Sequence, residues 1–251
     1  MPANHNFSKL ARQPAYRAVS EKIRQVILSG ELQAGDMLPT ELELADQFGV
    51  TRSTLREAIR LLEDSGIIGR TDRKRLVVTL PQTATIGRSV SSAMLMHRVT
   101  FEELWQVAMG LEPLAGKLAC ASATADDKQR LAANLQLTAT ILDDHKRLLE
   151  AEIEFHNLVA SATHNYALLQ ARAPLNDLFY PAWGAVIRAL SPGQRILVAH
   201  QKVFDAICNN QPKEAERWME KHMIDFRRGI EMGNLGFHQP VTSAANSDLQ
   251  N

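Results

Sequence analysis

The sequence predicts a mainly α chain in two parts: an N-terminal winged helix-turn-helix and a C-terminal, all-α antiparallel bundle of about six or seven helices. Three observations predict it. Residues 38–68 hold two short amphipathic helical patterns on either side of Gly49-Val50. Two short β-rich runs follow, Ile67-Ile68 and Leu76-Val77-Val78, with a basic stretch between them. From about residue 83 to 232 apolar residues then recur at helical period, and no strand pattern interrupts them.

In the first helix of the pair, Thr40 is suited to the N-cap and Glu43 completes a capping box. Leu42, Leu44, Ala45 and Phe48 supply an apolar side, and Gly49 suits the left-handed residue that ends a helix. Thr51 can cap the second helix, whose apolar face is Leu55, Ala58, Ile59 and Leu62; Gly66 ends it. Two helices joined by a short glycine turn place the start of the second one in a DNA major groove. Those leading residues are Thr51, Arg52, Ser53 and Thr54, with Arg56 one turn on. A guanidinium can grip O6 and N7 of guanine, while hydroxyls and helix-start N–H groups suit phosphates. An ordinary surface hairpin with solvated arginines would carry the same pattern.

The two β-rich runs read as a hairpin wing with the tip Gly69-Arg70-Thr71-Asp72-Arg73-Lys74-Arg75. Arg70, Arg73 and Lys74 there suit phosphate or minor-groove contact, or form a solvated charged hairpin.

Composition bounds the rest. The chain has 251 residues, enough for two modest domains, with 45% hydrophobic and 22% charged residues. No apolar run approaches a membrane span and no signal-peptide core precedes the first helix, so a cytoplasmic protein without a membrane partner is expected. Cys120 and Cys208 fall in helical apolar patterns and read as buried thiols. The 28 basic and 28 acidic residues cancel. Bulk attraction therefore does not drive DNA binding, which must rely on local basic clusters and paired subunits.

The expected layout is a disordered tail at 1–12, the winged domain at 13–80, a linker at 81–84, the helical domain at 85–232 and a disordered tail at 233–251. Pro174, Pro181, Pro192-Gly193 and Pro212 punctuate the helical part. Within it Glu152 and His156 lie one helical turn apart, and His200 and His222 lie on two later helices. Phe155, Val203, Met219 and Phe226 flank them at helical spacing and argue that they point inward. Three imidazoles and a carboxylate from neighbouring helices could coordinate one divalent metal. Hydrogen-bonded core histidines are the plain alternative.

From Ala15 to Ile68 the chain resembles the DNA-binding domain of the GntR family of bacterial transcription regulators. The markers are Ile27, Gly30, Gly35, Leu38-Pro39, Glu43-Leu44-Ala45, Gly49-Val50, Arg52, Arg56-Glu57-Ala58 and Leu61. The resemblance implies that Arg52 and Arg56 contact the operator, assisted by Ser53 and Thr54. Leu42 departs from it where a basic residue is usual, and Asp72-Arg73-Lys74 replaces a glycine-rich wing tip.

Residues 85–232 resemble the ligand-binding FCD domain of the FadR branch of that family. The matching pieces are Leu111-Glu112-Pro113, Ala115, Ala119, Phe155-His156, Leu158, Asn165, Leu168, His200 and His222. Metal-binding members use an Asp four residues before the first of three histidines. The implied ligands are Glu152, in the Asp position, with His156, His200 and His222. Zinc is the first expectation, with nickel, manganese or iron as alternatives. Met109 stands where many members carry an effector-binding arginine, so Arg172 and Arg188 are the candidate basic partners of an effector near Met109 and Asn165.

The implied protein is a homodimeric, metabolite-responsive regulator of a pseudo-palindromic operator in double-stranded DNA. Repression would be relieved by a small organic effector bound beside the metal. The rival from another class is a metal-dependent hydrolase or lyase on the helical domain, with the metal activating water. It lacks a dedicated general base in the sequence.

Overall fold

The computed structural model describes residues 13–81 and 83–241, with backbone alone at 83–86, 181 and 182. The expected tails at 1–12 and 242–251, and position 82 of the linker, lie outside the described residues. The chain divides into two compact units after residue 82.

The first unit holds α1 (Ala15–Leu28), α2 (Glu41–Phe48), α3 (Arg52–Asp64), β1 (Ile68–Arg70) and β2 (Leu76–Val78). Thr40 caps α2: its hydroxyl accepts from the Glu43 N–H at 3.3 Å, and its own N–H donates to Glu43 Oε2 at 2.8 Å. Such a cap contributes about 1 kcal/mol. Gly49 ends α2 with φ +63°, a conformation an L side chain resists. Thr51 caps α3 by accepting from the Thr54 N–H at 3.3 Å. Leu55, Ala58, Ile59 and Leu62 of α3 are buried against Val19 and Ile23 of α1 and Leu44 and Ala45 of α2. Each buried Leu or Ile contributes roughly 1.5–3 kcal/mol, so α3 is held by its inner face and its outer face is left to solvent.

The wing is a two-stranded antiparallel ribbon pairing Ile68 with Val78 and Arg70 with Leu76. Its tip closes through Thr71 N–H to Arg75 O (2.9 Å) and Lys74 N–H to Thr71 O (2.8 Å), with Lys74 at φ +58°. A third segment, unanticipated from the sequence, joins it: Met37 bridges to Val77 and the Leu38 N–H donates to Leu76 O at 3.0 Å.

The second unit comprises α4 (Thr83–Met96), α5 (Phe101–Ser122), α6 (Ala125–Thr140), α7 (His145–Ser161), α8 (Tyr166–Leu178), α9 (Tyr180–Leu190), α10 (Gly193–Cys208) and α11 (Pro212–Met232). The all-α bundle is as expected, with eight helices among the described residues where six or seven were expected. The additional break falls at Phe179, between α8 and α9, inside the buried run Leu178-Phe179-Tyr180. Pro181, in the first turn of α9, stands just past it, at one of the prolines read as punctuation.

One end of the bundle is an aromatic stack: Phe101 on Phe179 (4.9 Å between ring centres), Phe179 on Phe226 (4.3 Å) and Phe226 on Trp183 (3.9 Å). The other end packs Leu131, Phe155, Val203 and Met219. Gly229 of α11 is required at the aromatic end, because a Cβ would stand 2.6 Å from a Val186 methyl and 3.0 Å from the Trp183 ring. No helix among the described residues is long and apolar enough to cross a membrane.

Two expectations are corrected. Residues 233–241 do not form a disordered tail. They fold back on α5, where the N–H groups of Phe101 and Glu102 donate to Gln239 O (3.2 Å) and Phe237 O (3.0 Å), and Phe237 is buried. A helix start has unsatisfied donors, and one aromatic within a polar stretch is enough to anchor a strap over them. Cys120 is buried as expected, but Cys208 is exposed, because it falls on the outward side of the α10 turn whose Ala206 and Ile207 face the core.

Candidate nucleic-acid interface and metal centre

The start of α3 is open to solvent. Thr51, Arg52, Ser53 and Arg56 are exposed, and Arg52 makes no hydrogen bond or ion pair among the described residues. The Thr51 hydroxyl lies 2.9 Å from both Ser53 Oγ and Thr54 Oγ1, so the three hydroxyls form one polar cluster at the helix tip. Arg56 rests 3.8 Å from Glu41 on α2. Arg73 and Lys74 project from the wing tip, both exposed.

Arg70 is placed differently. Its Nε donates to Glu63 Oε1 on α3 at 2.7 Å and its Nη2 to Glu41 Oε1 on α2 at 2.8 Å. One guanidinium thus ties the wing to both helices of the pair. Sequence reasoning missed this because the two acids are separated from Arg70 by 7 and 29 positions.

The four residues expected to hold a metal come together. Glu152 and His156 on α7, His200 on α10 and His222 on α11 are all buried, and one ligand atom from each lies within 4.8 Å of the others. Glu152 is the hub. Its Oε1 lies 2.9 Å from His222 Nε2 and 3.6 Å from His156 Nε2, and its Oε2 lies 3.2 Å from His200 Nε2. Phe155 stacks on the His200 ring at 3.6 Å and fixes its plane. Phe155, Val203, Met219 and Phe226 are buried beside the cluster, which explains why all four polar groups turn inward.

Burial opposes charge here, and specific partners reverse the outcome at two groups. Burial raises Glu152, but the adjoining His200, His222 and His156 rings, with the hydrogen bond to His222, hold it well below the usual carboxylate range. Burial lowers His156, but the carboxylates of Glu112 and Glu152 raise it to about 9. At His200 burial prevails, helped by the neighbouring rings, and the imidazole stays well below its ordinary value.

Glu152 Oε2 and His156 Nε2 are buried without a hydrogen-bond partner. Buried polar atoms left without a partner cost about 1–3 kcal/mol each, and a cation displacing any proton there would engage both. Three imidazole nitrogens and a carboxylate oxygen are a donor set that suits zinc, nickel, manganese or iron.

A cavity of about 320 Å³ adjoins the cluster, with His222 in its wall. Trp183 and Ile196 line it on the apolar side; Arg195, Asp225 and Arg228 bring charge to it, Asp225 pairing with Arg195 at 2.9 Å. The four residues expected around an effector are not in that wall. Met109 packs against the aromatic stack, Asn165 caps α8 by accepting from the Leu168 N–H at 3.1 Å, and Arg188 is exposed in the last turn of α9. Arg172 is buried and bound to Glu112, Asn157 and Tyr180.

Comparison with known proteins agrees with this architecture. Residues 15–78 match the family described as bacterial regulatory proteins, gntR family, and residues 103–225 match the FCD domain. The HTH-type transcriptional repressor NanR of Cronobacter sakazakii is 27% identical over 219 residues, covering 85% of this chain and 84% of that protein. NanR of Escherichia coli K12 is also 27% identical, covering 85% and 83%. The solved structure of Streptococcus agalactiae GntR superposes with a TM-score of 0.60 at 23% identity, covering 85% of this chain and 99% of that one, which shows a shared fold. The hydrolase or lyase reading therefore falls, since both matching families and these relatives are regulators. The chain thus joins a gntR-family helix-turn-helix domain at residues 15–78 to an FCD domain at residues 103–225.

Proposed function

We propose that this regulator is a cytoplasmic homodimer that represses transcription from a pseudo-palindromic operator and is released by a small organic effector. The exposed start of α3 supports the DNA half of the reading: Arg52 and Arg56 read base edges, Thr51, Ser53 and Thr54 hold phosphates, and Arg73 and Lys74 steady the wing on the backbone. Two-fold protein symmetry matches two-fold operator symmetry. The NanR relatives are transcriptional repressors, which supports repression here.

The single observation that carries the sensing half is a cavity that meets four converging buried ligand atoms at His222. Glu152, His156, His200 and His222 would hold a divalent metal, zinc in the first instance. When bound, the metal supplies a Lewis acid for an oxygen of the effector. Trp183 and Ile196 cover the effector's apolar part and Arg195 with Arg228 orient its polar part. Release requires that the effector bind one arrangement of the dimer better than the other.

The test is selection of duplexes from a random pool by the metal-loaded protein, followed by a metabolite screen against the selected duplex. A palindromic consensus, and a metabolite that lowers affinity only when the metal is present, are the expected results. No enriched sequence refutes the DNA reading, and a metabolite effect indifferent to chelation refutes the metal's part.

A further inference from the structure

Glu112 on α5 is a carboxylate with no exposed surface, and the four-ligand set does not use it. Its Oε2 accepts from His156 Nδ1 at 2.9 Å, since a carboxylate can only accept. That bond puts the ring proton on Nδ1 and directs Nε2 at Glu152, where it finds no hydrogen-bond partner. The other oxygen, Oε1, is gripped twice, by the Tyr180 hydroxyl at 2.6 Å and by Arg172 Nε at 3.1 Å. Arg172 in turn donates to Asn157 Oδ1 at 2.7 Å, one residue beyond His156 on α7. Helices α5, α7, α8 and α9 are thereby joined around one imidazole.

We propose that Glu112 is a positioning residue for metal binding, and that Arg172 and Tyr180 serve it by holding its carboxylate still rather than by touching an effector. The proposal rests on the reading that Glu152, His156, His200 and His222 hold a divalent ion. A histidine ligand must present a free lone pair in the right plane, and a carboxylate on its far nitrogen fixes both tautomer and plane. Freed of Arg172, Glu112 could rotate away; freed of Glu112, Arg172 would be a buried cation without a counter-charge. The guanidinium is therefore part of the support of the site.

Zinc affinity of the full-length protein, measured by chelator competition, tests this. In Glu112→Gln the amide either donates to Nδ1, which moves the ring proton to Nε2, or keeps its oxygen there without the charge. Combining it with Arg172→Met removes the guanidinium that would otherwise be left unpaired. Both variants should bind zinc about 10- to 100-fold more weakly, as loss of such an outer partner does elsewhere. Proton–nitrogen NMR of the zinc-loaded wild type should show a protonated His156 Nδ1 that is lost or strongly shifted in Glu112→Gln, a change that general loosening would not single out.

Tyr180→Phe removes one bond to Glu112 and keeps the proposal testable should both other variants fail to fold. A loss of about threefold or more supports it, and unchanged affinity overturns it. Wild-type protein that binds no zinc overturns the metal reading and this inference with it. Tight wild-type binding matched within about twofold by the double variant overturns this inference alone.

Discussion

Replacing Arg70 by Met separates two roles that a basic wing residue can have. The methionine keeps much of the apolar stem and deletes the guanidinium. Arg70 makes two short charged hydrogen bonds, at 2.7 and 2.8 Å, with its side chain 38% exposed. Exposed pairs contribute about 0.2–1 kcal/mol each, so their joint worth is about 1 kcal/mol, less at high salt. For a domain of this size that is a drop of roughly 4–8 °C in the melting of the first unit, readable by calorimetry of the full-length protein. Operator affinity should fall about fivefold, because wing and α3 are no longer tied together. The slope of log affinity against log salt should stay the same, whereas loss of a phosphate contact would reduce it by about 0.9. Glu63→Gln sharpens the comparison. If Arg70 is a clamp, this change also lowers the melting temperature; if Arg70 binds DNA, the change frees a positive charge and tightens binding. A reduced salt slope in Arg70→Met, with unchanged melting, would refute the clamp and return Arg70 to the DNA-contacting set.

Arg52→Ala should weaken operator binding by about 1–3 kcal/mol and relax selectivity at one base position, read by repeating the duplex selection; undiminished affinity removes Arg52 from the base-reading set. Lys74 sits at φ +58°, so Lys74→Gly should stabilise the wing slightly while lowering the salt slope by about one, and a sequence-selective loss would show instead that the wing reads bases. The metal-free protein should have a pH optimum set partly by His156 and Glu112. His156 is raised from 6.5 to about 9, so its contribution is complete below pH 6.5 and is lost as pH rises through 9. Glu112 is lowered from 4.5 to about 2, so its contribution is complete above pH 4.5 and is lost as pH falls through 2. Melting temperature in chelator should therefore decline above pH 6.5, while the increment added by zinc should grow over the same range as fewer protons compete for the ligands. A zinc increment that does not change between pH 6.5 and 9 would show that protons on these groups do not compete with the metal.

What the sequence disclosed and what it concealed divide along one physical line. Thr40 with Glu43, Gly49, Thr51, and the 55–58–59–62 face of α3 are local features, and each has the partner within its own turn that the spacing implied. Glu152 and His156 share a turn of α7, so their common face was legible too. Bringing His200 and His222 to that face required only that three amphipathic helices bury their apolar sides together.

Guanidiniums obey no such rule. Arg172 and Arg70 looked available because a free cation and a paired one have the same letter in a sequence. Glu112 lies 60 positions before Arg172, and Glu41 lies 29 before Arg70. Periodicity could foretell that Glu112 would be buried, which already demands a counter-charge, since an unpaired carboxylate in a core is too costly to persist. The inference available from sequence was thus that a buried glutamate in a histidine-bearing bundle must consume one of the bundle's arginines. Of the two offered as effector partners, Arg188 at an exposed helix end was the poorer counter-ion, and Arg172, framed by Leu168, Ala173 and Leu175 on a buried face, was the one to be consumed. By the same argument the charge that meets an effector belongs on the rim of a cavity, where solvent shares the cost of keeping it, and Arg195 and Arg228 occupy such positions.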